Sequence, residues 1–542
     1  MKRTTLLFVF TILVFPSFSY HTQNTDEGSI QESIRGYISQ LEGSGTIKLG
    51  KQKIIRNPVI TKLYKGEDYQ PVWDNTNRKD LIKVLDDAYF EGLNPGDYHI
   101  DFIKEHDEKL AGGVRLTMDE YAIADIVMTN AVLTYAFHMI QGKVHPTELD
   151  PNWNYSMRPL PDSVEFRLMD RLQTQSLKEG VANIRSELPI YSEFRRWFIQ
   201  YDSIQKAGGD IQPIAYPGAP LRLGDSSAAV GALRSHMTIY GYSFNALGNE
   251  KFDEELETVI IDFQLLNQLD GDGICGKQTY KALNFSIDER LDIIRVNMER
   301  CRWINNDLPR EFLLVNIADY HLYIFRDRQI DYECRVVVGK EFHETPVFTS
   351  DIKYVVFNPT WTVPYSIASK EILPKLKKDP NYLQNRNMTL LRGKEVVNPS
   401  TIDFNQYSKK NFPYTIRQEP GTNNALGLVK FIFPNKYAVY LHDTPSKSYF
   451  EKTDRAFSHG CVRVKDPLIL AEQLLGDKGY DNDKIADVIK SSKTQNVYLT
   501  KPMTVMLMYW TCHDNDIDGK MSFYRDVYGR DKKVLSELNK TF

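Results

Sequence analysis

The spacing of apolar side chains changes character along the chain. Through residues 28–215, in runs such as IRGYISQLE and LIKVLDDAYFEGL, apolar positions recur at intervals of three and four. That is the period of helices with one buried face. The longest such run, AIADIVMTNAVLTYAFHMI, lies in a helix expected from about Asp119 to Gln141. It is almost long enough to cross a bilayer. Asp125, Asn130 and His138 would be costly there, which favours a buried helix of a water-exposed domain. Pro and Gly in AYPGAPLRLGD then mark a boundary. A compact unit follows, with Val230, Leu233 and Met237 at helical spacing and Leu256, Ile260 and Phe263 repeating the pattern. The glycine-rich turn in LDGDGICGKQTYKALN leads into its closing helix, and IDERLDIIRVNMERCRWINNDL reads as a connecting helix. From Glu311 the period shortens. FLLVNIADYHLYIF, QIDYECRVVVGK, IKYVVFNPTWTVP, LVKFIFP, YAVYLHD and CVRV are short β-branched and aromatic runs separated by Gly, Pro, Asn and Asp, the mark of strands. An insert containing SIASKEILPKLKKD interrupts them and reads as helix plus loop; segments of this length often cover a site.

At 542 residues the chain is too long for a single core. The expected class is multidomain α+β. A helical scaffold (20–215) and a small helical bundle (216–286) precede a linker helix (287–310). A β-rich domain spans 311–510 with a lid-like insert at 365–427, and a hairpin and tail occupy 511–542. The first residues carry Lys2 and Arg3, then an apolar core from Leu6 to Phe15, then small Ser17 and Ser19. That pattern predicts an export signal over residues 1–19. Contact with a membrane is expected only if that segment stays uncleaved. A formal net charge of −4 argues against a nucleic-acid binder. The tail residues Asp514, Asp516, Asp518 and Gly519 imitate the opening of a calcium loop, but the closing position is Arg525, so a solvated hairpin turn is expected.

The five cysteines are Cys275, Cys301, Cys334, Cys461 and Cys512. An odd number in an exported chain leaves at least one thiol unpaired. None stands in a C-x-x-C arrangement, and no metal or organic cofactor is expected. Cys461 is the candidate reactive thiol, because it follows His459 and Gly460 in SHGCVRV. A neighbouring histidine can take a thiol's proton, and as imidazolium it favours the thiolate. Backbone N–H groups beside a glycine can face the oxyanion formed when sulfur attacks a carbonyl. Two histidines compete for the base role: His459, two residues before the cysteine, and His442, which closes the run YAVYLH. Spacing alone does not choose between them.

YLHDTPS followed by FSHGCVRV resembles the L,D-transpeptidase family with its YkuD-type catalytic domain. VVVGKEFHETPVF, FNPTWTVPYSIASKEILPK and RQEPGTNNALGLVKF resemble its large scaffolded branch, as do YQPVW, GLNPGDY and GKVHP more faintly. Leu221, Gly224, Phe252, Asp272, Gly273 and Asn284 are among the positions by which residues 221–284 resemble a type 1 peptidoglycan-binding domain. The resemblance implies Cys461 as nucleophile, His442 as its acid–base partner and the backbone carbonyl of Asp443 as the group orienting the imidazole. It implies that His459 and Gly460 help shape the oxyanion site, with Arg463, Trp361 and Tyr440 near the substrate. It also implies a periplasmic enzyme that cross-links peptidoglycan stem peptides through a thioester, releases D-Ala and reacts with carbapenems. Water as acceptor would make it a carboxypeptidase or endopeptidase. A non-catalytic wall-binding scaffold is the reading from another class.

Overall fold

The computed structural model describes residues 27–42, 46–149, 153, 177–208, 212–304, 308–515 and 520–541. The export signal expected at 1–19 lies outside them, as does the turn expected at 516–519 with Asp516, Asp518 and Gly519 of the calcium-like set; Asp514 lies in the strand before it. On either side of that turn, Cys512–Asn515 and Lys520–Phe523 pair as an antiparallel hairpin.

The first helical region gathers around Met118–Gln141, a 24-residue helix started by a Thr117–Glu120 capping box. It is buried almost all round, so it shows no polar stripe. Among the described residues it is the one helix long and apolar enough to cross a membrane, and it lies inside the protein. Its three costliest polar residues have partners, while the buried Thr134 hydroxyl has none among the described residues. Asp125 accepts from the Tyr64 hydroxyl at 2.5 Å and from the Val72 and Trp73 N–H groups at 3.1 Å. Asn130 accepts from the Ile55 and Arg56 N–H groups, and His138 Nδ1 meets the Tyr98 hydroxyl at 3.0 Å. Those bonds offset the desolvation of the polar groups.

The small bundle consists of Ala228–Met237, Glu254–Leu266 and Lys277–Leu283. Val230, Leu233, Met237, Leu256, Ile260 and Phe263 form its own core, and Cys275 is buried in it. The connecting helix is Ile287–Arg302, with a Ser286–Glu289 capping box. Helix Pro189–Lys206 packs beside it, and Phe194, Trp197 and Phe198 enter the core of the β-rich region. The helical reading of residues 28–215 covers this stretch, but a helical period does not name the partner that a face packs against.

Nine strands build the β-rich region: β1 (Glu311–Asn316), β2 (His321–Arg326), β3 (Gln329–Gly339), β4 (Phe348–Phe357), β5 (Val429–Ile432), β6 (Leu441–His442), β7 (Ala456–Ser458), β8 (Val462–Val464) and β9 (Gln495–Met508). Their order is β7-β3-β8-β6-β5-β4-β9-β1-β2, and β2 also pairs with β3. The sheet therefore closes on itself, like a barrel, with β7 branching from β3. Closure removes the exposed edges that an open sheet would present. The insert is more ordered than helix plus loop. Trp361–Thr362, Thr415–Gln418, Met388–Arg392 and Glu395–Val397 form a four-stranded sheet, with a separate core around Leu376, Leu383, Leu390 and Ile416. These strands are two to five residues long, too short for an alternating pattern to stand out.

Candidate active site

Three adjacent barrel strands set the site. β6 runs parallel to β8, with Leu441 opposite Val462 and His442 opposite Arg463. It runs antiparallel to β5, with Phe431 opposite Leu441 and Lys430 opposite His442. Leu441, Val462 and Phe431 are fully buried in the barrel core. Side chains alternate across a strand, so the intervening residues share the other face. One row on that face is Arg463, His442, Lys430. The row beside it is Cys461, Tyr440, Ile432. The Tyr440 and His442 rings meet edge to face at 5.5 Å, as that placement requires.

Cys461 is half-buried, whereas Cys275, Cys301, Cys334 and Cys512 are buried, and all five are free thiols. Burial pushes the Cys461 thiol up, opposed by the backbone N–H and hydroxyl of Tyr440 and by the Arg463 charge. Its Sγ lies 3.8 Å from the Ala438 carbonyl oxygen, placed to accept the S–H. Ala438 has φ +55°, a conformation that costs an L-residue energy. The Asn435 side chain holds this turn with four hydrogen bonds, to Phe433 and Val439 carbonyls and from Tyr437 and Val439 N–H groups. Nothing in the hydrophobic pattern signals Ala438; the Pro-Asn pair before it marks only a turn.

The turn carrying the cysteine is closed by Ser458. Its hydroxyl donates to the Cys461 carbonyl at 2.5 Å and accepts from the Gly460 N–H at 3.0 Å. Gly460 has φ +111°, open to glycine and strained for other residues. Its N–H is thus occupied within the turn, while the Cys461 N–H has no partner among the described residues. Thr345 donates to the Gly460 carbonyl at 2.9 Å, and its own N–H meets the Tyr528 hydroxyl at 3.1 Å. The C-terminal tail therefore braces the cysteine turn, a contact invisible to sequence reading because 183 residues separate Thr345 and Tyr528.

His442 is buried. Its Nδ1 donates to the Asp443 carbonyl at 2.5 Å, which leaves Nε2 as an acceptor. Burial, with the Arg463 and Lys430 charges, pulls its pKa down to about 3, and the Asp443 carbonyl only partly opposes this. The Asp443 carboxylate is fully engaged with the Thr444 N–H, the Leu428 N–H and the Lys447 ammonium. Gly427, at φ +60°, lies against it so closely that a Cβ would overlap the carboxylate.

His459 points elsewhere. Its Nε2 meets Glu371 at 2.8 Å, and its ring lies 5.1 Å from that of His343. Glu371 belongs to Ala368–Ile372, a π-helical turn of the insert. The insert is therefore fastened to the cysteine turn. Trp361 packs against the insert's core, away from the ring and hydrogen-bond contacts that join Cys461, Tyr440 and His442. Among the described residues, no group of three His, Cys, Asp or Glu could hold a metal ion.

Comparison with known proteins matches this architecture region by region. Residues 310–491 fit the family model of the L,D-transpeptidase catalytic domain, residues 58–197 that of the scaffold domain, and residues 226–283 that of a peptidoglycan binding domain. A Haemophilus influenzae protein described as "Putative L,D-transpeptidase" is 34% identical over 287 residues. The match takes in 52% of this chain and 57% of that relative, so the chain spans a little over half of the relative's length. A crystal structure of an L,D-transpeptidase from Stackebrandtia nassauensis is 15% identical, with 54% of this chain and 97% of that one covered at a TM-score of 0.21. One from Xylanimonas cellulosilytica is 13% identical, with 55% and 100% covered at a TM-score of 0.16. From the family matches, the chain carries a YkuD-type L,D-transpeptidase catalytic domain with adjoining peptidoglycan-binding and scaffold regions.

Proposed function

We propose that the protein is a peptidoglycan L,D-transpeptidase of the cell envelope, exported to the periplasm, with Cys461 as nucleophile. The observation that supports this best is the pairing of β6 with β8, which sets a thiol diagonally beside a buried, neutral histidine. In this reading His442 Nε2 takes the Cys461 proton as sulfur attacks the carbonyl of the third residue of a tetrapeptide stem. The free Cys461 N–H and the Tyr440 hydroxyl, which burial keeps protonated, are the donors for the oxyanion. His442 returns the proton to the departing amine, the C–N bond breaks and D-Ala leaves. The side-chain amine of a second stem's diamino acid then attacks the thioester, and its proton returns to the thiol through His442. His459 acts through the insert, on Glu371. An insert fastened over the turn favours an amine over water as acceptor.

The test is mass spectrometry of muropeptides after incubation with tetrapeptide-stem fragments. Cross-linked dimers with loss of D-Ala, absent with Cys461→Ala and His442→Ala, are expected. Tripeptide monomers alone would make the protein a carboxypeptidase, and unchanged fragments would point to a wall-binding scaffold. A carbapenem is expected to acylate Cys461, and intact mass without an adduct would count against this.

A further inference from the structure

The row Arg463, His442, Lys430 holds two cations and no anion. Lys430 is half-buried, and burial penalises its charge. Among the described residues it has no hydrogen bond and no ion pair; its nearest recorded contact is the Tyr440 ring, 5.9 Å from Nζ to centroid. Arg463 is also half-buried, without an ion-pair partner, and its Nε is buried without a hydrogen bond. Several buried cations elsewhere have anions: Lys143 meets Asp97, Arg302 meets Glu299, and Arg234 meets Asp253 and Glu255. Arg290 and Arg455 have none among the described residues, but Arg290 lies over aromatic rings and Arg455 donates to backbone carbonyls, and neither flanks a candidate base. Two unmatched cations flanking one histidine form a site for a negative charge that the protein does not supply.

We propose that Lys430 is a specificity-determining residue that, with Arg463 across His442, binds the terminal carboxylate of the donor stem. The inference rests on the transpeptidase reading above and follows from the geometry of the two rows. A scissile carbonyl over Cys461 places the departing amine over His442, on the diagonal. In a stem that ends one residue after the scissile bond, the carboxylate is two bonds from that amine. It therefore falls in the row of the two cations. Neighbouring strands are about 4.8 Å apart, so the side chains of Lys430 and Arg463 reach it from either side. A stem one residue longer would carry its carboxylate past this row and bring a neutral amide to it. The site thus selects the length of the donor by charge.

Internal competition tests this. Equimolar donor peptides ending in D-alanine and in D-alaninamide are offered together, with an amine acceptor in excess. The ratio of D-alanine to D-alaninamide released equals the ratio of the two kcat/KM values and does not depend on the fraction of folded enzyme. Wild type is expected to favour the acid by roughly ten- to a hundredfold, the range for a hydrogen bond to a charged group. Lys430→Met and Lys430→Gln should bring the ratio close to one, and Lys430→Arg should keep most of the preference. A wild-type ratio near one, or an unchanged ratio in Lys430→Met and Lys430→Gln, would overturn the proposal. So would loss of release from both donors in these two variants, since Lys430 would then serve more than the carboxylate. No release from either donor by wild type would overturn the transpeptidase reading, and this one with it.

Discussion

Two buried polar clusters in this molecule are built on opposite rules. Around Asp125 in the long scaffold helix, the carboxylate has a tyrosine hydroxyl and two backbone N–H groups, and the Thr129 hydroxyl meets that of Tyr64 and accepts from the Trp73 indole N–H. Around His442 the neighbours are two cations without anions, a thiol and an N–H without a partner. The first cluster is complete and fixes a fold. The second is incomplete, and what it lacks is an anion and an acceptor for an N–H. An acylating peptide brings both a carboxylate and an oxyanion. Unmatched polar atoms also occur in the packed cores, as at Trp197 Nε1 and Thr134 Oγ1, but those gathered beside a thiol and a neutral histidine point to chemistry that arrives with a ligand.

Substitution separates the two clusters most sharply. His442→Gln removes the proton acceptor and is expected to lower kcat/KM by roughly a hundred- to ten-thousandfold. Thermal unfolding of the scaffold should not move. Asp125→Ala leaves the Val72 and Trp73 N–H groups without their acceptor, each at about 1–3 kcal/mol, and leaves the Tyr64 hydroxyl to Thr129. A loss of about 2–4 kcal/mol is expected in denaturant unfolding followed at Trp73, with Cys461 alkylation unchanged in the protein that stays folded. If His442→Gln destabilised the scaffold, or Asp125→Ala slowed alkylation of the folded protein, the two clusters would be coupled and the contrast would fail.

The residues that meet in the site lie in two short stretches, YLHD and SHGCVR. The second was legible because its chemistry is local, a histidine, a glycine and a cysteine in a turn; the first rests on the family resemblance, since spacing alone leaves His442 and His459 both open. Lys430 was not legible, since only strand register puts it opposite His442. Glu371, Ala438 and Thr345 reach the turn through the insert, a strained bend and a long-range bond, none of which has a sequence period. The fold read in the same way. Helices of ten or more residues showed their buried faces, as Val230, Leu233 and Met237 did, while the insert's short strands did not.

Gly427 offers a smaller and more selective perturbation. Gly427→Ala places a methyl on the Asp443 carboxylate and forces an L-residue to φ +60°, which costs roughly 1–2 kcal/mol. Displacing that carboxylate moves the carbonyl that orients His442, so a roughly tenfold fall in kcat with little change in KM is expected. The pH profile sharpens the electrostatic half of the contrast. Burial holds the Cys461 thiol above its ordinary range and keeps His442 neutral down to about pH 3. Alkylation by iodoacetamide should therefore still be rising above pH 9, with no step from His442 between pH 5 and 8. Arg463→Gln removes a cation that favours the thiolate, so the rise should move to higher pH. A plateau near pH 7 would mean that a preformed thiolate–imidazolium pair occupies the resting site.

The smallest expected effect belongs to the contact between the insert and the cysteine turn. His459 and Glu371 are 2.8 Å apart, with side chains 34% and 46% exposed, so the pair sits at the water boundary. The contact is a hydrogen bond that becomes an exposed ion pair only with His459 protonated, and such pairs contribute about 0–1 kcal/mol and weaken in salt. Glu371→Gln keeps the shape of the side chain and removes its charge. Alkylation of Cys461 by a bulky maleimide should then rise no more than a few-fold, while iodoacetamide, which is small enough to pass either way, should be unaffected. Molar salt should raise the maleimide rate of wild type toward that of the variant and leave the variant unchanged. If salt accelerates both equally, the insert is held by its own packed core around Leu376, Leu383 and Ile416, and the ion pair only records where that core sits.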